Sequence, residues 1–365
     1  MNDMKLHIVG TGVYTPAGDT IANVDQAIRA DVRVAKPSRL VGVHGNPLMV
    51  APMITHPSGV DHGIDRASLF AEGVIHNCFH GASRTPEGKT ALIVAFTIRA
   101  LAPEWDGIAK VVAKHLSRTY GVVIPRRLRS ETETNAASVF LEIARAREML
   151  IEGVVDNILL VALHSGCYPD QILLCEALYP DGHQEIPAEG AAMIWLSRNG
   201  PGPCIAAYSF ATSKKHATAE DRAGTLLENF ITSRNPARSP QPREAAKEGT
   251  RLLLDLSDPA SLTTAMENAL QQWQGDRRSI AETFVDLNGA AWRAKQWAIA
   301  STRVFAATSK SPALVAPAMC LGELGAVSVP LQMALAAHAV CKDGAPRMVI
   351  SSGPASLRGA AIIAP

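Results

Sequence analysis

The chain has 365 residues, 47% of them hydrophobic, which is enough apolar material for one large or two fused domains. Its 35 Lys and Arg are balanced by 34 Asp and Glu, so no global basic field exists to hold a nucleic acid or an acidic membrane surface. No stretch approaches the ~20 unbroken apolar residues needed to span a bilayer, and the opening MNDMKLHIVGTG lacks the long apolar region of a signal peptide.

The six cysteines, Cys78, Cys167, Cys175, Cys204, Cys320 and Cys341, are scattered and form no CxxC pair. Neither a zinc site nor a disulfide framework is indicated, no cofactor is implied, and a reduced cytoplasmic protein is expected. The short basic run Arg126, Arg127 and Arg129 reads as a solvated face.

In chain order, Lys5 to Val9 predicts a buried strand, followed by a turn at Gly10-Thr11-Gly12. Ile21, Val24 and Ile28 fall at helical spacing and predict a helix over 21–30. A second helix is predicted at 67–78, a central strand at 91–98 and a further helix at 105–119. The clearest helix runs from Ala136 to Gly153: Phe140, Ile143, Arg147 and Leu150 fall on nearby faces, Glu142, Arg145 and Glu148 look outward, and Gly153 is a C-cap. Strands follow at 157–163 and 191–197, then the turn Asn199-Gly200-Pro201-Gly202.

After that turn the pattern begins again. CIAAYSF at 204–210 is a strand, and the polar stretch 213–248 reads as long surface loops. A helix is predicted over 259–273, a strand ends at ETFVDLNG (282–289), ALVAPAM (313–319) is apolar, and a helix of small residues runs from Leu324 to Val340. The segments 347–353 and 359–365 close the chain as paired strands. Two similar α/β halves, residues 1–200 and 201–365, point to a duplicated mixed-sheet fold.

Several segments, in order, resemble β-ketoacyl synthases of the thiolase superfamily. Ile8-Val9-Gly10-Thr11-Gly12 through Thr15-Pro16 and Gly18 resembles their opening strand and loop. The helix at 136–152 with Gly153, Asp156 and the strand 157–163 resembles the nucleophile helix and the strand behind it. Pro187-Ala188-Glu189-Gly190-Ala191-Ala192, Val285-Asp286-Leu287-Asn288-Gly289, Gly322 through Leu331 and Ser351-Ser352-Gly353 through Ile363 resemble four further landmarks. The resemblance covers nearly the whole chain. It implies a duplicated thiolase fold with five α/β/α/β/α layers, and a dimer joined through the strand before the nucleophile helix, here the polar segment Arg129 to Thr134.

The family's chemistry needs a cysteine at a helix N-terminus, where the dipole favours thiolate. It also needs two histidines, or a histidine and an asparagine, to promote decarboxylation and stabilise an enolate. Matched to that pattern, the cysteine position falls on Ala136, and its neighbours Thr134, Asn135, Ala137 and Ser138 include no cysteine. The first histidine position falls on Asn288, which donates a hydrogen bond but is no base, and the second on Gly322 or Glu323. A family lysine corresponds to Pro317 and the gatekeeper phenylalanine to Pro354.

The resemblance with these departures implies a catalytically degenerate, chain-length-factor-like subunit that partners an active ketosynthase in fatty-acid or polyketide assembly. It would do so as a homodimer or heterodimer, with an acyl carrier protein as a further partner. Two alternatives stand beside it. One is an acyltransferase or decarboxylase with a rearranged site using Cys167 beside His164, Ser138 or Glu323. The other is a non-catalytic scaffold. Cys320 is a core thiol near the second histidine position, and His76, Cys78 and His80 have a spacing that ligates a metal only from a strand.

Overall fold

The computed structural model describes residues 5–42, 45–53, 63–97, 107–168, 172, 185–212, 258–308, 311–352 and 357–365. The stretch 213–248 and Pro354 lie outside the described residues.

The first half comprises β1 (Leu6–Tyr14), α1 (Ile21–Arg29), β2 (Lys36–Val41), β3 (Pro47–Val50), α2 (Gly63–Ala82), β4 (Thr90–Thr97), α3 (Ile108–Tyr120), β5 (Arg129–Glu133), α4 (Val139–Ile151), β6 (Asn157–Ser165) and β7 (Glu189–Ser197). The second comprises β8 (Cys204–Thr212), α5 (Pro259–Trp273), β9 (Glu282–Val285), α6 (Ala291–Phe305), β10 (Ala313–Val315), α7 (Pro317–Leu321), α8 (Ser328–Asp343), β11 (Arg347–Ser351) and β12 (Leu357–Ala364).

The strands repeat one topology. One set of five is ordered β5-β4-β6-β7-β1 and the other β10-β9-β11-β12-β8. In each, the first three strands are parallel and the last two joins antiparallel. Among the described residues the two sets are joined as strands where Leu6 pairs with Ile205 and His7 with Cys204.

Alternation along the strands builds the layers. On β4 and β6, Ile93 and Leu160 face a central core with α4 and α8, while Leu92 and Leu159 face an outer core with α2 and α3. In the second half, Val349 and Ala361 face the central core and Met348 and Ile362 face α5 and α6. The result is five layers, α2/α3, sheet, α4/α8, sheet, α5/α6, as the resemblance implied.

Several elements differ from the sequence reading. The glycines at 10 and 12 are not a turn: β1 runs through them, because α2 packs so close that a Cβ on Gly12 would lie 2.8 Å from the Cys78 amide. Glu142 does not face solvent; it is buried on α4, and Leu141 takes the exposed position. The polar segment that the resemblance implied as a strand does form one: β5 pairs in parallel with β4 at the sheet edge.

Gly359 on β12 is fixed by the same logic. A Cβ there would overlap the ring of Phe140, a fully buried side chain of α4. We expect Gly359→Ala to destabilise the chain by about 1–3 kcal/mol through overpacking. A denaturant midpoint within error of wild type would contradict this packing.

An ion network joins the two halves. Arg29 on α1 binds Asp25 at 2.9 Å and Glu282 on β9 at 2.8 Å. Glu282 also holds Arg347 at 2.8 Å, and Lys342 holds Asp25 at 3.2 Å. Burial pushes the Asp25 and Glu282 carboxyls up, but their cations outweigh it and both lie below their usual values. The Arg347 hydrogen bonds hold Asp343 at about 2. Because the folded values are lowered, this stabilisation is complete above the unfolded carboxylate range and is lost as pH falls through the folded values. The stability gap between wild type and Arg29→Met should therefore shrink as pH is taken from 7 towards 3. A pH-independent gap in urea midpoints would contradict the network.

Candidate functional site

The site lies at the C-terminal ends of the parallel strands β4, β5 and β6, the usual location of a crevice in α/β sheets. Thr97 pairs with His164 across β4 and β6. Thr134, just past β5, donates its amide to Phe96 O at 2.8 Å. Thr97 Oγ1 donates to Thr134 O at 2.9 Å and accepts from the Ala326 amide at 2.6 Å. That hydroxyl stitches the approach to Ala136 onto the glycine-rich turn at 322–326.

Ala136 is buried and opens the turn that precedes α4, so the regular helix starts at Val139 and not at 136. Asn135 and Ser138 cap this turn reciprocally. Asn135 Oδ1 accepts from the Ser138 amide at 3.0 Å, and Ser138 Oγ accepts from the Asn135 amide at 2.8 Å. Ser138 Oγ also donates to Asn135 O at 3.1 Å, which commits its proton to the backbone. Its place is that of a helix cap.

The structure brings Asn288 and Glu323 together. Asn288 Nδ2 donates to Glu323 Oε2 at 2.8 Å, and Asn288 Oδ1 accepts from the Ala290 amide at 3.1 Å. Gly322 sets this contact up. Its φ of +83° favours glycine, and a Cβ would lie 2.7 Å from Ile186 O. Its role is therefore conformational. The next residue donates its amide to the same Ile186 O at 2.8 Å, fixing Glu323 against the segment before β7.

Glu323 is an ionised, internally paired carboxylate. Its Oε1 accepts from the Gly325 amide at 3.0 Å, and Oε2 lies 3.0 Å from the Arg293 guanidinium. Burial acts to raise its pKa, but Arg293, then His164, the Gly325 amide and Asn288 more than offset this and hold it below the usual value. Arg293, fully buried on α6, donates to Asp286 O at 2.7 Å and faces Asp286 Oδ2 at 3.6 Å and Glu185 at 3.5 Å. Asp286 in turn accepts from Ser351 Oγ, Ser352 N and Ser352 Oγ at 2.8–2.9 Å.

Cys167 does not join this cluster. Alternation along β6 sends His164 to the central layer and Ser165 to the outer one. On the outer side Ser165 Oγ donates to Glu189 at 2.6 Å, Glu189 accepts from the Met53 amide at 3.1 Å, and Arg66 pairs with the same carboxylate. Cys167 packs by Leu48, Val50 and Ile172, and its thiol donates to Pro187 O at 3.5 Å. Burial first, and Glu189 second, push that thiol far above its ordinary pKa. A thiol so protonated is a poor nucleophile.

No family model and no curated protein matches the sequence. Solved structures do. The ishigamide ketosynthase/chain length factor aligns over 99% of both chains, with a TM-score of 0.67 and 14% identity. A type II polyketide ketosynthase, in complex with its acyl-carrier protein and bound to the hexaketide, aligns over 99% of both chains, with a TM-score of 0.70 and 12% identity. The acyltransferase ChlB3 aligns over 99% of this chain and 97% of its own, with a TM-score of 0.60 and 14% identity. The fold is the thiolase fold of the ketosynthases.

Within that fold the remaining sequence candidates are peripheral. The Cys320 thiol lies 3.9 Å from Ile28 O and 3.8 Å from Asp31, against α1, and burial raises its pKa. His76, Cys78 and His80 lie on helix α2, not on a strand, and Cys78 is fully buried. Among the described residues no cluster is placed to hold a metal, and no helix is long and apolar enough to cross a membrane. The sequence reading missed Arg293 and Glu185. The available signal was the buried stripe of α6, on which Arg293 and Gln296 stand with Ala300 and Val304.

Proposed function

We propose that this chain is a non-condensing ketosynthase-fold subunit that works beside an active ketosynthase in acyl chain assembly, in the manner of a chain length factor. The observation that carries the reading is the methyl group of Ala136 at the head of α4. The positions matched to the family's proton-handling residues, Asn288 and Glu323, are tied into an ion cluster with Arg293. An alanine cannot be acylated, and a carboxylate held by Arg293 and two amide donors is a weak base.

The similarity to a ketosynthase/chain length factor structure and to a ketosynthase bound to its acyl-carrier protein supports the class of partner. Edge strand β5 is the proposed dimer strand, whether the partner is a second copy or a ketosynthase. Its Glu131 is already engaged, accepting from the Gly107 and Ala109 amides at the start of α3 at 3.2 and 3.0 Å. An acyl-transfer reading has a fold neighbour in ChlB3, but it requires a nucleophile, and Ser138 and Cys167 are both committed elsewhere.

Purification at native expression, with mass spectrometry of the partner and of both chains, tests this. A co-purifying ketosynthase that carries any acyl adduct on its own cysteine is expected. This chain purified alone, with the acyl mass on it, would overturn the reading.

A further inference from the structure

Away from the ion cluster, a cavity of about 350 Å³ opens beside β1, within the usual ~300–1,000 Å³ of small-molecule pockets. Residues 8–13 of β1 form its floor. The start of α1, the end of α2 and the end of α8 form its walls, with Ile21, Gly81, Ala337 and Cys341 among the lining residues. β1 pairs with β7 as far as Tyr14, but with β8 only at Leu6 and His7. Among the described residues the rest of β1 therefore has a strand on one side only.

The peptide groups of a strand point alternately to its two edges, and two contacts fix which point outward here. The Ile8 amide donates to Pro203 O at 2.8 Å, on the side away from β7. Val13 O accepts from Asn77 Nδ2 at 3.0 Å, in place of a strand amide. The register shift between Ile8 and Gly10 inserts one residue, so Ile8, Thr11 and Val13 share the outward edge. Thr11 thus turns both its N–H and its C=O away from β7. A Cβ at Gly81, on α2, would meet nothing nearer than Thr11 O at 3.9 Å, so the cavity lies over that carbonyl. Asn77, which also holds Asp19 O at 2.7 Å, closes one end of the free edge, and Pro203 closes the other. What remains is one donor–acceptor pair, that of Thr11, flanked by Val9, Ile21 and Ala337.

We propose that the cavity binds a small N-acyl amino-acid amide, whose –NH–CHR–CO– unit pairs with Thr11 as one residue of an added strand. The ligand N–H donates to Thr11 O, and the ligand C=O accepts from the Thr11 N–H, which is the two-point pair of an antiparallel sheet. The apolar walls take its acyl arm. A free edge one residue long, closed at both ends, selects a short unit over a continuing peptide. Neither Ala136 nor the Asn288–Glu323 pair lines this cavity, so the proposal stands whether or not the chain condenses.

The test is calorimetric titration of the full chain with N-butyryl-valine methylamide. Saturable binding to one site, with Kd at or below about 1 mM, is expected for a ligand of this size. The ester analogue, in which oxygen replaces the valine N–H, should bind about tenfold more weakly, because it leaves Thr11 O without a donor. Equal affinity for amide and ester would overturn the strand-edge pairing, as would no binding of either. Gly81→Leu places a side chain over Thr11 and should abolish binding while α2 stays helical, since leucine is the better helix former. Unchanged binding in that variant would put the ligand elsewhere and overturn the site. Should Gly81→Leu fail to fold, alkylation of wild-type Cys341, an exposed thiol lining the cavity, decides. Saturating probe should suppress that alkylation, and an unaffected rate overturns the site. A hexapeptide of alternating valine and glycine that binds more tightly than the single unit would overturn the choice of a small molecule.

Discussion

Ala136→Cys is expected to acquire a mass increase of one acyl group on incubation with an acyl thioester, where the wild-type chain acquires none. The new thiol would stand at the first residue of the turn into α4, beneath the helix N-terminus. There the helix dipole pulls a cysteine below its ordinary pKa of ~8.5. Condensation should remain absent in the same variant. Each positioned acid or base contributes roughly 10²–10⁴ in rate, and here Asn288 and Glu323 are bonded to one another at 2.8 Å. An Ala136→Cys variant that folds but is never acylated, while Cys341 on the surface is readily alkylated, would show that residue 136 does not occupy the acylation position.

Arg293→Met should cost about 3–5 kcal/mol of stability, the penalty for removing one partner from a buried ion cluster. Arg293 is fully buried and faces Glu185, Asp286 and Glu323 within 3.0–3.6 Å. Without it those carboxylates lose their nearest cation. The loss should also be partly recovered at acid pH. The Glu323 carboxyl lies below its usual value chiefly because Arg293 outweighs burial. Removing the cation raises the folded value, so protonation at pH 4–5 relieves the variant before it affects the wild type. Urea midpoints at pH 7 and pH 4.5 measure this. A loss under 1 kcal/mol, or one that does not change with pH, would mean the cluster is not electrostatically coupled.

Much of the fold was legible because period and glycine placement carry it. The runs at 157–163 and 191–197 are apolar at every position but Asn157 and Ser197, and they became β6 and β7, buried on both faces. The repeat after residue 200 was visible as a second strand opening and became β8. What was not legible depends on contacts between distant segments. Gly10 and Gly12 read as a turn because local sequence shows flexibility, whereas the actual constraint is the approach of α2. Glu142 read as outward because charge is normally solvated. His164 and Cys167 read as a pair by spacing, but the period of two along β6 turns His164 towards the central layer, while Cys167 packs beside Leu48, Val50 and Ile172. Asn288 and Glu323 were named by resemblance, while Arg293, which pairs with Glu323, lies outside every motif quoted.

The claim that this chain does not condense is tested most directly by incubating the purified, partner-free wild type with acyl and malonyl thioesters and following both intact mass and β-ketoacyl product. The account predicts an unchanged mass and no product above the protein-free control. A stable acyl adduct on the wild-type chain, or turnover of malonyl thioester to a β-ketoacyl product, would contradict it.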